Sequence, residues 1–121
     1  MTYKTMHPYF EKSFEHYACV TMDMQETFWN YLAYGMPPGS FCKSVIINDF
    51  YGAALRAHHL LDMNFMRDIA RWLVNETPED SYGSVEKYKA WIKLSDDDRR
   101  DILILYKLRP SVIDVLKGTP R

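Results

Sequence analysis

Apolar side chains recur every three to four residues along most of the chain, and this period constrains the fold more than any other feature. Such spacing gathers apolar groups on one face of an α-helix, whereas half-buried strands alternate with a period of two. Residues 44–47 (Ser-Val-Ile-Ile) resemble a strand, but no turn residues bracket them. We therefore predict an all-α fold, with residues 1–121 forming a single helical domain of six to seven short helices.

Proline, glycine and capping residues divide the first third of this pattern into helices. Pro8 suits the first turn of a helix, and Asp23 followed three residues later by Glu26 predicts a capping box. Gly35 is typical of a helix end, and Pro37-Pro38 prevents the helix from continuing.

The next predicted helix begins at Ser40, whose hydroxyl is suited to accept a hydrogen bond from a first-turn amide. No proline follows from Phe41 to Leu61, which predicts one long helix with a local weakness at Gly52.

Similar signals organise the C-terminal half. A further helix is expected to end before Thr77-Pro78, and residues 76–84 form a loop. Ser84 and Ser95 are expected to cap the next two helices, the last of which ends at Arg109-Pro110. Its predicted inner side consists of Ile102, Leu105 and Tyr106, and residues 112–116 form at most a terminal turn or two.

Composition supports a soluble domain with its own core. Apolar and aromatic residues make up 47% of the 121 residues, and aromatic residues alone 15%. Cys19 and Cys42 both fall within apolar helical patterns, which predicts buried free thiols in a reducing compartment. Neither a membrane span nor a signal peptide is recognisable, so a cytoplasmic location is expected.

The balance of charge weighs against a polyanion-binding protein. The net charge is −1, whereas nucleic-acid-binding domains normally carry a basic excess. Residues 1–83 carry 6 basic and 10 acidic side chains, and residues 84–121 carry 9 and 6. This asymmetry is compatible with a homo-oligomer, with an anionic ligand near the C-terminal third, or simply with solvated helix surfaces.

The histidines do not predict a metal site. His58 and His59 are adjacent, so on a helix they point about 100° apart. His7 and His16 are separated by nine positions, and no cysteine or carboxylate completes a zinc-binding spacing. No metal or other cofactor is expected.

Catalytic arrangements are also not recognisable. Ser40 lacks the Gly-x-Ser-x-Gly setting of a nucleophilic serine. Glu76, Glu79 and Asp80 could act as an acid–base pair, but carboxylates on a loop are usually only solvated. We expect a binding protein rather than an enzyme.

Two sets of residues are candidates for binding. Amides at the Gly39–Ser40 helix start could face an anion, although no lysine completes a phosphate-binding loop. The predicted ligand site consists of Tyr34, Gly39, Ser40, Asn48 and Arg56. Because Arg56 would lie roughly 24 Å beyond Ser40 on a straight helix, this site requires a bend near Gly52 or a second subunit. Asn48 and the adjacent Asp49 could equally form an internal hydrogen-bond network.

The second set is a partner-binding surface formed by Arg67, Arg71 and Trp72. The two arginines are four residues apart and share a helix face, which could also be ordinary solvated surface.

Short motifs follow one another in a fixed order between residues 31 and 94. They are Tyr34-Gly35-x-Pro37-Pro38-Gly39-Ser40-Phe41, Val45, Asn48-Asp49, Arg56-Ala57, Trp72-Leu73-x-Asn75-Glu76-x-Pro78, Gly83-Ser84-x-Glu86-Lys87 and Trp91. In this order they resemble a group of small accessory proteins encoded by tailed bacteriophages. Members of the group usually carry Trp in place of Tyr82 and Leu in place of Cys42.

The resemblance implies a setting in an infected bacterial host, where small accessory proteins commonly act by binding. We expect the protein to neutralise a host-defence component by blocking a protein partner. Alternatives are a sponge for a small anionic ligand such as a nucleotide immune signal, and an enzyme of unknown class. DNA binding by a helix-turn-helix is disfavoured because no exposed basic recognition helix is recognisable.

Overall fold

The computed structural model describes residues 6–56 and 63–111. Within these ranges the chain forms seven α-helices, one short 3₁₀ helix and no strand, which confirms the predicted all-α class. The α-helices are α1 (Pro8–Lys12), α2 (Met22–Tyr34), α3 (Ser40–Ile46), α4 (Phe50–Arg56), α5 (Met63–Glu76), α6 (Val85–Lys93) and α7 (Asp96–Leu105), and the 3₁₀ helix is Glu79–Ser81. His58, His59, the predicted helix end at Leu61 and the terminal turn at 112–116 lie outside the described residues.

Helix α2 is the central element. Its last turns are buried on every side, from Phe28 to Ala33, because α3, α6 and α7 all pack against it. A helix that is buried on all sides has no solvent-facing stripe. This explains why five of the six residues from Phe28 to Ala33 are apolar or aromatic, the exception being Asn30.

An aromatic cluster centred on Trp72 joins α1, α2 and α5. The Trp72 ring is 0% exposed and stacks on Phe14 at a centroid distance of 4.3 Å, with Phe10 and Phe28 at 5.6 and 5.0 Å. Its indole N–H donates to the Ser13 hydroxyl over 2.9 Å, so the polar edge is satisfied within the core. The prediction that Trp72 contacts a partner is therefore wrong.

Arg99, on α7, holds the C-terminal ends of α2 and α6. Its side chain is 3% exposed and donates to the carbonyl groups of Ala33, Trp91, Ile92 and Leu94. The last carbonyl groups of a helix lack partners within the helix, so a single guanidinium here satisfies acceptors at two helix ends. It also forms an ion pair with the exposed Asp96.

The predicted caps of α6 and α7 are confirmed. The Ser84 hydroxyl accepts from the amide of Lys87 at 3.1 Å, and the Ser95 hydroxyl from the amide of Asp98 at 3.0 Å. The predicted cap at Asp23 is wrong by two positions, because Thr21 accepts from the Met24 amide and α2 begins at Met22.

The predicted cap at Ser40 is also wrong. Gly39 occupies the capping position with no side-chain hydrogen bond, and Ser40 is already the first helical residue. Gly39 has the extended backbone conformation of a capping residue, with φ of −64° and ψ of 169°.

The long helix predicted from Phe41 to Leu61 is interrupted at residues 47–49. Asn48 adopts a left-handed conformation with φ of 64°, which asparagine tolerates better than most residues. The Asp49 carboxylate then accepts from the Gly52 amide at 2.9 Å and starts α4 as a new helix. The chain therefore turns at Asn48, four residues before Gly52, where the predicted ligand site would have required a bend if no second subunit contributed.

The two cysteines differ in environment. Cys42 is buried at 4% exposure, as predicted, and burial raises the pKa of its thiol to about 12. Cys19 is exposed, so its predicted burial is wrong. Its backbone amide donates to the Asp68 carboxylate at 3.0 Å, which ties the segment after α1 to α5.

None of the helices in the described part of the chain combines the length and apolar character needed to cross a membrane.

Candidate binding site

Of the predicted ligand residues, only Asn48 lines one of the two depressions described below. Tyr34 is half-buried and packs edge-on against the Trp29 ring at 6.0 Å, while Gly39 and Ser40 are exposed at the start of α3. None of these three residues lines either of the two depressions described below. A common site formed by Tyr34, Gly39, Ser40, Asn48 and Arg56 therefore stays a prediction.

Asn48 lines a cavity of about 170 Å³ between α3, α4 and α5, here called the α3–α5 cavity, and Arg56 contacts Ser44, another of its lining residues. Its polar lining is Ser44, Asn48 and Asp49, and its apolar wall includes Ile69. The Arg56 guanidinium donates to the Ser44 hydroxyl over 3.3 Å. The turn at Asn48 makes this contact possible, since it folds α4 back onto α3.

The chemistry of this cavity suits a small polar group better than a nucleotide. Pockets for drug-sized ligands span roughly 300–1,000 Å³, which exceeds the volume available. A carboxylate from Asp49 also lines the wall, and it would repel an anion that Arg56 attracts. A large anionic ligand is therefore disfavoured at the α3–α5 cavity.

A larger depression of about 370 Å³ lies where α6, α7 and the 3₁₀ helix meet, and we call it the α6–α7 groove. Its apolar lining is Ala90, Trp91, Leu94 and Ile102. Its charged lining is Asp80, Glu86 and Lys87.

The floor and one rim of the groove are held by hydrogen bonds to α2. The Trp91 indole N–H donates to the Leu32 carbonyl at 3.2 Å, and its side chain is 1% exposed. On the rim, the Tyr31 hydroxyl donates to the Ser81 carbonyl at 2.7 Å, which fixes the 3₁₀ helix carrying Asp80. The groove is thus formed in advance of any binding event, which reduces the entropy lost on association.

Exposed apolar side chains extend the groove along α7. Leu105 follows Ile102 by three residues and therefore lies on the same side of the helix. Leu105 is 80% exposed and Tyr106 45% exposed, so the prediction that both belong to the inner side of α7 is wrong. The core at this end of α7 is filled by Leu103 and Leu108, which are both buried.

The predicted arginine surface exists, but it is separate from the groove. Arg67 and Arg71 are exposed on α5, and the Arg71 guanidinium lies 5.7 Å from the centre of the Tyr17 ring. The Tyr17 hydroxyl donates to Glu76 at 2.8 Å, so part of this surface is engaged within the molecule. A role of Arg67 and Arg71 in partner binding stays a prediction.

Among residues 6–56 and 63–111, no three histidine, cysteine or acidic side chains are grouped so that they could hold a metal ion.

Comparisons of the sequence with protein-family models and with curated proteins, and of the fold with solved structures, give no match.

Proposed function

We propose that this protein is a binding module that blocks a protein partner through the α6–α7 groove. The observation that carries the proposal is an apolar groove that continues into an almost fully exposed leucine, Leu105. Isolated apolar residues at a surface are normal, but a concave apolar surface with an adjoining exposed leucine and tyrosine is typical of a protein contact.

The energetics favour a compact protein contact. Burying apolar surface contributes roughly 25 cal/mol per Å² to the free energy of binding. Large side chains that enter a preformed pocket on the partner contribute most. Tyr106 adds an aromatic ring, a group that is enriched among residues important for binding. The rigid Trp91 floor limits the conformational entropy that such a contact costs.

The biological setting is proposed from the motif resemblance over residues 31–94. In that setting the chain is a tailed-phage accessory protein that acts in the cytoplasm of an infected bacterium. It neutralises a host-defence component by covering a surface that the component needs for its activity. The groove supports a binding role of this kind, because a protein that blocks a partner needs a surface with affinity for it and does not need catalytic residues.

A sponge for a small anionic ligand is the second candidate, and the observation that favours it is the Arg56 guanidinium on Ser44, which lines the same cavity as Asn48. The volume of the α3–α5 cavity and the carboxylate of Asp49 weigh against it, as argued above. Protein blocking is therefore the better supported reading.

Three matched substitutions distinguish these candidates. Ala90, Ala70 and Ala54 are all exposed helical alanines; Ala90 lines the groove, Ala70 lines the α3–α5 cavity, and Ala54 lines neither. Glutamine is tolerated in helices almost as well as alanine, so each replacement fills space with little effect on folding. The three variants are expressed in bacterial strains that carry phage-defence systems, and the plating of a defence-sensitive phage is measured.

Wild type and Ala54→Gln are expected to restore plating, and Ala90→Gln to abolish that effect. Loss of the effect in Ala70→Gln alone would instead favour the sponge. If wild type restores plating and all three variants do so equally, neither depression is the functional surface. If wild type leaves plating unchanged in every strain, the proposed role in defence is wrong.

A further inference from the structure

We infer that the α3–α5 cavity binds a small zwitterion, namely a free α-amino acid with an aliphatic side chain. This cavity shares no lining residue with the α6–α7 groove, and the inference is independent of the proposed function. It is carried by a carboxylate and a guanidinium that lie close together at a cavity whose remaining walls are apolar.

Opposite charges meet above Gly52 on α4. A Cβ atom at Gly52 would clash with Asp49 Oδ2 and would lie 2.6 Å from Arg56 Nη1, so both charged groups lie over this glycine. Asp49 and Arg56 are about two helical turns apart in the sequence, which places them on one face of α4. No ion pair joins them, however, within the part of the chain that the structure describes. Both charges therefore remain available to a ligand.

The hydrogen-bonding groups around these charges are only partly engaged. Asp49 Oδ1 accepts from the Gly52 amide at 2.9 Å, whereas Asp49 Oδ2 has no donor among the described residues. The hydroxyl of Ser44, which is 4% exposed, accepts from Arg56 at 3.3 Å, but no described residue accepts the proton of this hydroxyl. Buried hydroxyl groups normally donate as well as accept, so Ser44 offers a donor to the cavity. The Asn48 side chain also forms no hydrogen bond with any described residue.

The rest of the cavity is apolar and small. Its apolar walls are formed by Val45, Ala53, Met66, Ile69 and Ala70. At about 170 Å³ it is close in size to an engineered cavity of roughly 150 Å³ that holds benzene, so it can take one branched aliphatic side chain. Burial of that side chain would supply affinity, because apolar surface is removed from water.

The paired charges and the apolar walls together define the ligand. A simple anion attracted by Arg56 would be repelled by the Asp49 carboxylate, and a simple cation would meet the reverse conflict. A free α-amino acid carries its ammonium and its carboxylate on one carbon atom, so it can engage both groups at once through charge-assisted hydrogen bonds. Its aliphatic side chain then enters the apolar part of the cavity. An amino acid within a peptide lacks one or both charges and does not meet these requirements.

Both charges and the side chain can be removed from the ligand one at a time. L-leucine carries all three groups; isocaproate lacks the ammonium, isoamylamine lacks the carboxylate, and glycine lacks the side chain.

The affinity of the full chain for each of the four compounds is measured by titration calorimetry. The midpoint of thermal unfolding gives a second readout, since a ligand that binds only the folded chain raises it. L-leucine is expected to bind at least about tenfold more tightly than each of the other three compounds.

Charge-neutral variants assign each end of the ligand. Asp49→Asn keeps an oxygen that can cap α4 and is expected to abolish the preference for L-leucine over isocaproate. Arg56→Gln keeps a donor for the Ser44 hydroxyl and is expected to abolish the preference over isoamylamine. The matched control Glu11→Gln, at an exposed acid on α1, is expected to keep both preferences.

Variants of uncharged residues locate the site. Ala70→Gln fills the cavity and is expected to weaken the binding of L-leucine at least about tenfold. Ala54→Gln, which lines neither depression, and Ala90→Gln, which lines the α6–α7 groove, are expected to leave it unchanged.

Absence of L-leucine binding, or equal affinity for L-leucine and the two singly charged compounds, would overturn the inference. So would binding of L-leucine that survives Ala70→Gln or that keeps both preferences in Asp49→Asn and Arg56→Gln. The two charge-neutral variants decide the question even if filling the cavity destabilises the chain.

Discussion

The guanidinium of Arg99 lies directly against the α-carbon of Gly35, where α2 ends. A Cβ atom at Gly35 would lie 2.7 Å from Arg99 Nη1, and Gly35 has a φ of 65°. Both the backbone conformation and the close approach therefore require glycine here.

Gly35→Ala is expected to lower the free energy of unfolding by about 2–4 kcal/mol, since a left-handed alanine is strained and its methyl group displaces a buried guanidinium. Denaturant unfolding measures this change. Gly39→Ala is the matched control, because nothing lies within 4 Å of its Cβ position and its φ is −64°. Equal effects of the two substitutions would contradict the close packing at Gly35.

The two residues should also be coupled. Arg99→Ala leaves carbonyl groups of α2 and α6 without their donor and is expected to cost about 2–4 kcal/mol by itself. In that background Gly35→Ala retains the backbone strain but loses the steric conflict, so its additional cost should be smaller. A double-mutant cycle measures the difference. Strict additivity would show that the two side chains do not interact as described.

The caps of α3 and α6 give a second contrast. Ser84→Ala removes a side-chain acceptor from the first turn of α6 and is expected to cost about 1 kcal/mol. Ser40→Ala is expected to change stability by only a few tenths of a kcal/mol, because Ser40 follows the capping position and makes no cap hydrogen bond. Thermal unfolding of both variants provides the test, and a larger loss for Ser40→Ala would place the start of α3 at Ser40 after all.

Burial of Cys42 predicts a loss of stability in alkali. The pKa of its thiol rises from 9.0 to about 12 on folding, because burial disfavours the thiolate. Between these values the unfolded chain has released the proton and the folded chain has not, so stability falls as pH rises above about 9. The slope from one such group approaches about 1.4 kcal/mol per pH unit. Unfolding from pH 8 to about 11 should therefore show a shallower decline for Cys42→Ala than for wild type; identical slopes would count against the raised pKa.

Single residues in the sequence predict some of the helix ends correctly, although not the starts of α2 and α3. Gly35 ends α2 and the hydroxyls of Ser84 and Ser95 cap their helices, all as predicted. The break at Asn48 was missed because the apolar period continues across it. Its signal was present, since asparagine tolerates the left-handed conformation and the aspartate after it is a strong N-cap.

The binding surface was harder to predict because it depends on which helix covers which face. Leu105 and Tyr106 fit the apolar period of α7 as well as Leu103 does, yet only Leu103 is covered by other helices. The groove also joins residues of the 3₁₀ helix, α6 and α7, and its floor is fixed by a contact of Trp91 with α2. Periodicity within one helix carries no information about such contacts. In the same way, Trp72 was assigned to the surface from its basic neighbours, whereas its own size favoured the core.

Photocrosslinking in bacterial cells shows whether a protein partner occupies the α6–α7 groove. A benzophenone amino acid is placed at Leu105, beside the groove, and separately at Leu55, which is comparably exposed on α4 at 85%. One dominant protein adduct is expected from position 105 and is expected to disappear when Ala90→Gln is added, and no such adduct is expected from position 55. No adduct from position 105, or one that persists in Ala90→Gln or forms equally from position 55, would contradict occupancy of the groove by a protein partner.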